Sequence, residues 1–445
     1  MTNFRLTPLA QSLPSTVPFV GPETQERAAH RSFDARLGAN ENVFGPSPRA
    51  IEAMAATPQW MYGDPESFDL RAALAAHHRV TPEHIIVGEG IDGLLGYLVR
   101  LMVAPGDTVV TSDGAYPTFN YHVAGFGGTL HKVPYNGDHE DPIALFSKAA
   151  EVDAKLVYLA NPDNPMGSWH KGSDLIQAMK TLPQNCLLVL DEAYIDCAPQ
   201  GTAPILDGDD PRLIRLRTFS KAHGLAGARV GYAIGAPDLI TAFGKVRNHF
   251  GMNRAAQAGA LAALQDTDWL AHVQAEIASS RERIAQIATD NRLTPLPSAA
   301  NFVAIDCGGM ARLQRRFWTG WLPAGYLCAC PLQPRKTAAF ASAAALRKTS
   351  MPLPKPSQKR LLTQKRADEP QNRAIVFVEA SKSTPMRDNN DRPSAPNFTQ
   401  ACIVMFGVNV FWVFTVIWVL WGLMAVALLG WALNALINQI AARQD

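Results

Sequence analysis

The chain has few cysteines, and their spacing is not that of a cysteine-based metal site. Six cysteines occur in 445 residues, none in a CxxC pair or at a metal-ligand spacing from a histidine. We therefore expect no metal and a reduced, cytosolic environment. The first residues, MTNFRLTPLAQSLPSTVPFVG, lack the basic start and continuous apolar stretch of a signal peptide, so we expect no secretory leader.

The sequence also lacks a strong charge of one sign and an internal repeat. Its net charge is +2 and its pI is about 8.2. This balance favours neither nucleic acid nor an acidic surface as a partner. No period typical of a solenoid is present, and 445 residues suffice for two or more domains with sizeable cores.

Composition changes along the chain. Residues 1–309 have the pattern of an α/β protein, whereas residues 310–400 are rich in Arg, Lys, Pro, Ser and Gln with little periodicity. Residues 401–437 contain no charged residue, and this run exceeds the roughly 20 residues that span a bilayer as a helix. We therefore predict a transmembrane helix or hairpin there, with flanking charges too balanced to give its orientation.

Short apolar runs alternate with helix-like segments in the first 309 residues. HIIVG, DTVV, KLVYLA, CLLVL and LIRLR are each followed by a turn. Such runs predict a mainly parallel sheet with helices on both faces, and ligands bind these sheets at the carboxyl ends of the strands. Those ends carry a glycine turn and side chains of several chemical types: Gly90, Ile91, Tyr116, Asn164, Asp191, Tyr194, Ser220 and Lys221.

Lysine forms a Schiff base with an aldehyde, which is the bond that the cofactor pyridoxal phosphate requires. Lys221 could supply the amine, and Asp191 the acidic partner of the pyridine nitrogen. Asn164 and Tyr194 are suited to hold the ring oxygen, and Tyr116 to cover the ring. Each residue alone has a simpler interpretation: Lys221 as a solvated charge, Asp191 as a helix cap, and Tyr116 as a packing residue.

The cofactor phosphate would need backbone N–H groups and a cation. The segment GEGIDGLL places Gly90 and Ile91 at the start of a predicted helix, where free N–H groups and the helix dipole favour an anion. Ser220 and Arg229 can add a hydroxyl and a guanidinium, and the glycines between them allow the chain to turn.

Five motifs in these residues resemble those of fold-type I pyridoxal-phosphate aminotransferases, and specifically the histidinol-phosphate aminotransferase branch. They are LGANENVFGPSP, YGDPES, NPDNPMG, DEAYID and TFSKAHGLAGARVGY, in the family's order over residues 37–232. The similarity extends from about residue 30 to PSAANFVAIDCGG, which ends at residue 309.

The resemblance implies a role for each matched residue. Lys221 would bind the cofactor and move a proton, with Asp191, Asn164, Tyr194 and Tyr116 around the ring. Gly90, Ile91, Ser220 and Arg229 would bind the phosphate. Tyr62 would reach the phosphate of a second subunit in a homodimer, and Asn40 would lie near the substrate.

Resemblance and composition together divide the chain into five parts. These are an N-terminal arm (1–36), the cofactor-binding large domain (37–285), the start of a small C-terminal subdomain (286–309), a disordered or aberrant linker (310–400) and the transmembrane segment (401–437).

The chain departs from the family after Gly309. The family continues with segments such as FVR and RVS, whose last arginine grips the substrate carboxylate, and no such pattern follows here. LPAGYLCACP and RKTAAFASAAAL are compatible with family-like text in a neighbouring reading frame. We interpret this as a frame slip that leaves the small subdomain incomplete, with a separate small membrane protein fused from about Met386. A divergent tail is the alternative.

The predicted reaction is transfer of an amino group from an amino acid to a 2-oxo acid or other carbonyl acceptor. Two alternatives stay open: a decarboxylase or lyase on the same scaffold, and a catalytically crippled, membrane-tethered cofactor binder. Glutamate-dependent formation of 2-oxoglutarate separates an aminotransferase from a decarboxylase. Cofactor absorbance without turnover would favour the non-catalytic binder. The catalytic part is expected in the cytoplasm, tethered to a membrane through residues 401–437.

Overall fold

The computed structural model describes residues 4–14, 21–30, 32–33, 35–36, 38–205, 208–306, 326–327, 337–342 and 374–379. All of them belong to one compact unit, Met1–Ser383. Within these residues, no helix is both long and apolar enough to cross a bilayer. The predicted membrane segment 401–437 and most of the predicted linker 310–400 lie outside the described residues.

Helices and strands alternate along most of the described chain. The helices are α1 (Pro8–Ser12), α2 (Pro22–Ala29), α3 (Pro48–Ala55), α4 (Phe68–His78), α5 (Gly90–Met102), α6 (Pro117–Gly125), α7 (Pro142–Glu151), α8 (Gly172–Ala178), α9 (Pro237–Ala242), α10 (Arg254–Gln265) and α11 (Thr267–Asp290). The strands are β1 (Ala35–Arg36), β2 (Ile85–Gly88), β3 (Thr108–Ser112), β4 (Thr129–Val133), β5 (Leu156–Ala160), β6 (Leu187–Asp191), β7 (Leu213–Thr218), β8 (Gly231–Gly235), β9 (Thr294–Pro295), β10 (Phe302–Asp306), β11 (Tyr326–Leu327), β12 (Thr337–Ser342) and β13 (Ala374–Glu379).

Seven strands form the central sheet, in the order β2-β8-β7-β6-β5-β3-β4. Strands β7, β6, β5, β3 and β4 run parallel, which confirms the predicted mainly parallel sheet. Strand β8 is antiparallel to both β2 and β7. Because two antiparallel steps restore the direction, β2 ends at the same edge of the sheet as β7.

The two central strands are buried on both faces, as their continuous apolar sequences predict. Every residue of β5 and β6 is buried. On one face they pack with Leu94 of α5 and Phe119 of α6, and on the other with Leu145 of α7 and Leu175 of α8. Burial of each such side chain stabilises the fold by about 1.5–3 kcal/mol. The sheet is therefore a rigid base for the loops at its edge.

A second sheet has the order β12-β13-β10-β9. Strand β10 is antiparallel to β9 and β13, and β12 is parallel to β13. Strands β11, β12 and β13 lie within residues 310–400, the predicted linker. The sequence of β13, AIVFVE, is rich in β-branched and aromatic residues, which favour pairing along a strand edge.

Candidate active site

The loops after β2, β3, β5, β6 and β7 open at one edge of the central sheet, together with the start of β8. Nine of the eleven predicted site residues lie on these loops or at the strand ends: Gly90, Ile91, Tyr116, Asn164, Asp191, Tyr194, Ser220, Lys221 and Arg229. Asn40 joins them from the segment between β1 and α3, through the contacts described below. The parallel arrangement of the strands therefore brings together residues that are far apart in the sequence.

Lys221 follows β7 and points toward the segment that contains Asn40. Its Nζ donates to the main-chain oxygen of Asn40 at 3.1 Å and to that of Ala39 at 3.3 Å. The same Nζ lies 5.2 Å from the ring centroid of Tyr194. The amine is partly buried and therefore differs from a solvated surface lysine, the simpler interpretation of the sequence.

Asp191 is the last residue of β6 and is 5% exposed. Tyr158 Oη donates to its Oδ2 at 2.6 Å, and the Ala193 N–H donates to its Oδ1 at 2.9 Å. Burial raises the pKa of Asp191, while the hydrogen bonds from Tyr158 and Ala193 and the charge of Lys221 act in the opposite direction. Within the protein, desolvation is the larger effect, so the site favours a ligand that brings a positive charge to this carboxyl.

The phenol of Tyr194 is the meeting point of two amide side chains. Asn40 Nδ2 donates to its oxygen at 3.0 Å, and Asn164 Nδ2 donates at 3.2 Å. The ring is 4% exposed and packs edge-on against Phe302 at a centroid distance of 5.3 Å. Two amide donors therefore fix the position of this hydroxyl.

A second corner of the site combines a helix N-terminus with a guanidinium. Gly90, at the start of α5, has φ +78°, and a Cβ at this position would lie 2.4 Å from Nη2 of Arg229. Arg229 Nη1 donates to Ser220 Oγ at 3.3 Å, and a Cβ at Gly231 would lie 2.8 Å from the nitrogen of Ile91. Only glycines allow these groups to come so close, and together they form a cradle for an anion.

The two aromatic residues predicted for the site lie in different surroundings. Tyr116 begins the turn into α6 and is 42% exposed, so the alternative of a core packing residue is wrong. Tyr62 is 75% exposed, with its ring 4.7 Å from that of Phe250 and its main-chain oxygen held by Arg254. These contacts place Tyr62 with Phe250 and Arg254, and not with the other ten predicted residues.

Three further residues of the segments that carry the predicted site have structural contacts of their own. The Met166 N–H donates to Asp163. His223 is buried, with its ring 4.8 Å from that of Phe219. Glu89 accepts from Tyr97 Oη at 3.0 Å, so its carboxylate has a partner beside the anion cradle.

Sequence reasoning missed two residues that the structure brings to the site. Tyr158 lies inside the apolar run LVYLA, where a hydroxyl two residues before the strand end was the available signal. Asn301 Nδ2 donates at 3.1 Å to the same oxygen of Asn40 that accepts from Lys221. No local sequence pattern predicts this contact, because it joins positions 261 residues apart.

The residues present fit pyridoxal phosphate. A partly buried amine, a carboxyl that lacks a full counter-charge and a fixed phenol lie at one edge of the sheet, and a cradle that any Cβ at Gly90 would fill suits the phosphate. Fold and site together define a pyridoxal-phosphate-dependent enzyme, with a parallel sheet and a lysine-centred crevice. Lys221, Asp191, Asn164 and Tyr194 would hold the ring end of this cofactor, with Arg229 at the other end.

Comparison with known proteins gives the family. The profile described as "Aminotransferase class I and II" matches residues 35–331, and the chain belongs to that family. The match ends 22 residues beyond Gly309, where the similarity in the sequence analysis ends. The chain is 36% identical to a histidinol-phosphate aminotransferase of Anaeromyxobacter sp. (strain Fw109-5), over 68% of this chain and 84% of that protein. It is 38% identical to one from Roseiflexus castenholzii, over 62% of this chain and 76% of that protein.

Solved structures agree with this assignment. Histidinol-phosphate aminotransferase from Sinorhizobium meliloti, in complex with pyridoxal-5'-phosphate, has a TM-score of 0.68 and 53% identity, covering 71% of this chain and 86% of that one. A mutant aspartate aminotransferase from Thermus thermophilus has a TM-score of 0.61 at 21% identity, covering 73% and 91%, and shares the fold. The predicted aminotransferase activity and the predicted cofactor, pyridoxal phosphate, are confirmed.

Proposed function

We propose that this aminotransferase exchanges an amino group between histidinol phosphate, or its carbonyl counterpart, and an amino acid or its 2-oxo acid. Support comes from relatives that bear this name, one of them 53% identical over 86% of its length. The observation that carries the proposal is the position of Lys221, which lies beside Tyr194 and the Asn40 segment in the crevice that also contains Asp191. Pyridoxal phosphate supplies an electron sink and a carrier for the amino group.

Lys221 would hold the cofactor covalently through its Nζ and carry a proton to and from the substrate carbon. Its contacts with two main-chain oxygens keep the amine at a fixed place near the ring of Tyr194. A positioned amine can transfer a proton without a search for the correct geometry, which is a large part of catalysis.

Asp191 would face the pyridine nitrogen and keep it protonated. The carboxyl is desolvated, and its pKa is raised by burial among the protein's own groups. A positive ring nitrogen would lower that pKa again, because an opposite charge favours the ionised form. Tyr158 orients the carboxyl and leaves its charge in place, since the phenol donates a hydrogen bond to Oδ2.

Asn164 and Tyr194 would hold the ring oxygen, and Tyr116 would cover one ring face. The half-exposed position of Tyr116 at the start of α6 suits a side chain that packs on a ligand rather than in the core. The phosphate would bind in the cradle formed by Gly90, Ile91, Ser220 and Arg229. Asn40, whose Nδ2 contacts Tyr194, would lie next to the substrate.

We also propose a homodimer in which Tyr62 serves the site of the second subunit. Tyr62 packs against Phe250, and both side chains are exposed, as are Trp60 and Phe68 nearby in the sequence, all between 53% and 86% exposed. Exposed apolar groups of this size are typical of interaction surfaces. The five-part division of the chain and the cytoplasmic location stay predictions. The two described cysteines suit a reduced compartment, because both are buried free thiols.

The experiment begins with the purified chain and its near-visible absorbance. Borohydride reduction followed by peptide mass spectrometry should find the cofactor on Lys221, and Lys221→Ala should abolish both the adduct and turnover. Lys148→Ala is the matched control, because that lysine pairs with Glu151 on the surface. An adduct on another lysine would contradict the assignment.

Turnover is then measured with histidinol phosphate and 2-oxoglutarate, by following glutamate. Glutamate formation is the expected result. Carbon dioxide release without transamination would favour the decarboxylase, and a bound cofactor without turnover would favour the non-catalytic binder. Bound cofactor without turnover would also support the prediction that the carboxylate-binding arginine is lost after Gly309. That part of the sequence lies almost entirely outside the described residues.

A further inference from the structure

The main-chain oxygen of Asn40 accepts two side-chain donors at once. Lys221 Nζ approaches it to 3.1 Å, and Asn301 Nδ2 also approaches it to 3.1 Å. A carbonyl oxygen has two lone pairs, so it can accept both hydrogen bonds. Asn301 and Lys221 are thus joined through a single atom, although they come from different sheets.

The orientation of the Asn301 side chain follows from its surroundings. Only the NH₂ end of an amide can face a carbonyl oxygen at this distance, so the donor must point toward Asn40. Asn301 is 1% exposed and immediately precedes β10. A tie from a buried strand end restrains a loop better than a tie from a mobile surface group.

The Asn40 carbonyl needs such a tie, because regular structure does not hold it. The residue lies between β1 and α3 in the left-handed region, at φ +52°. Asparagine tolerates this conformation but does not enforce it. The position of the oxygen that Lys221 uses therefore depends on side-chain contacts.

Both amide oxygens of this pair are buried without a hydrogen-bond partner among the described groups, namely Asn40 Oδ1 and Asn301 Oδ1. A buried unsatisfied acceptor costs about 1–3 kcal/mol, and in native structures such groups call for a functional explanation. An apolar residue at position 301 would avoid that cost. Asparagine at this position indicates that its donor is needed.

We propose that Asn301 is a positioning residue, which holds the Asn40 carbonyl as the place where the Lys221 amine rests whenever it is not joined to the cofactor. The amine then stays within reach of the substrate carbon and returns to the cofactor from one geometry. This inference rests on the proposed function of Lys221 and adds a residue that acts through Asn40.

The test compares two ties to the same segment. Asn301→Ala removes the donor to the oxygen that Lys221 uses. Asn42→Ala is the matched control, because Asn42 Nδ2 donates at 2.9 Å to the oxygen of Ala222, next to the lysine, without contacting the lysine's acceptor. Four quantities are measured for each protein: the melting temperature, the rate at which cofactor-free protein attaches added pyridoxal phosphate, and the steady-state kcat and KM.

We expect Asn301→Ala to slow covalent attachment and lower kcat by about 10- to 100-fold, the size of effect that misplacement of a reacting group by about 1 Å produces. KM should change less than threefold. Asn42→Ala should change neither rate by more than twofold, even if the two variants lose the same melting temperature. Equal rates for the two variants would overturn the proposal and leave a structural role.

Asn301→Asp provides a second variant if the alanine protein does not fold. It keeps the size of the side chain and turns an oxygen toward the Asn40 carbonyl, so the tie becomes a repulsion, and we expect at least the same slowing of attachment. Wild-type rates in this variant would also overturn the proposal. If wild-type protein attaches the cofactor elsewhere than Lys221, the proposed function itself fails, which the borohydride experiment detects separately.

Discussion

Asp191 and Glu192 are neighbours at the end of β6, yet they enter two regions with opposite electrostatics. Asp191 faces the crevice, where its partners are a phenol, a backbone N–H and a more distant lysine. Glu192 faces the other side of the sheet and lies between Arg217, 2.7 Å from its Oε2, and Arg215, 3.0 Å from its Oε1. Successive side chains of a strand point to opposite faces of the sheet, so the two carboxyls point away from each other.

The two environments move the carboxyl pKa values in opposite directions. Burial raises the pKa of Asp191, and the hydrogen bonds around it do not cancel that effect. Burial alone would also raise the pKa of Glu192, but Arg217 and Arg215 lower it below its ordinary value. The charge of Glu192 is balanced by two arginines of the protein itself. Asp191 has no such partner at hydrogen-bond distance among the described residues, so its counter-charge is to come from a ligand. Such incomplete compensation is typical of functional sites.

The largest expected effect comes from Asp191→Asn, which removes the charge on the crevice side and keeps the shape. We expect turnover to fall on the order of 1,000-fold, because the charge acts mainly in the transition state. Cofactor attachment at Lys221 should persist, and the free energy of unfolding should stay equal or rise, since a desolvated acid is removed. Single-turnover absorbance and urea unfolding measure the two quantities. Near wild-type turnover would mean that another residue supplies the charge.

Glu192→Gln makes the corresponding change on the other side. It leaves the buried Arg217 and the partly buried Arg215 without their carboxylate, so we expect the free energy of unfolding to fall by about 3 kcal/mol. Bound cofactor should be retained in the folded fraction. The control is Asp210→Asn, which breaks a partly exposed pair with Arg212 and should cost less than about 1 kcal/mol. Equal losses would remove the distinction between the two regions.

The crevice side of this comparison was predictable from the sequence, and the other side was not. Lys221, Asp191 and Tyr194 follow apolar runs, and the topology of a parallel sheet is enough to place them at one edge. Arg215 and Arg217 lie inside the run LIRLR, whose apolar residues predict a strand without saying which face the arginines take. Their partner is chosen by the order of β6 and β7 in the sheet, which periodicity does not encode.

Contacts over long sequence separations escaped prediction for the same reason. The tie from Asn301 to Asn40 depends on how β10 lies against the N-terminal segment, and no local pattern reports that. The antiparallel strand β8 likewise carries the sequence GYAIG, which predicts a strand but not its direction. Element types follow from local sequence, whereas partners depend on the assembled fold.

A smaller effect sharpens the comparison by adding a second buried acid, Glu140, which lies just before α7. Glu140 is 2% exposed; it accepts from Ser112 Oγ and, at 3.0 Å, from the Ala160 N–H at the end of β5. Burial raises the pKa of Glu140 well above its ordinary value, and the adjacent carboxylate of Asp163 raises it further. The protonated form is therefore favoured in the folded protein, whereas the unfolded chain ionises near the ordinary value of about 4.3.

The sign of the resulting pH dependence is opposite for Glu140 and Glu192. Between pH about 4.3 and the raised native pKa of Glu140, the folded state holds a proton that the unfolded state has lost. Stability from this group therefore falls as pH rises, by at most about 1.4 kcal/mol per pH unit. Glu192 has a lowered native pKa, so its contribution is present above the unfolded value and is lost as pH falls.

Urea unfolding at several pH values checks this last prediction with two variants. Glu140→Gln keeps a donor toward Asp163 but cannot ionise, so wild-type stability relative to this variant should decline as pH rises above about 4.3. Relative to Glu192→Gln, wild-type stability should decline as pH falls. Glu151→Gln, at the exposed end of α7, is the control and should run parallel to wild type. Slopes of the same sign for the two buried variants would show that the two carboxyls do not differ in the way that their contacts indicate.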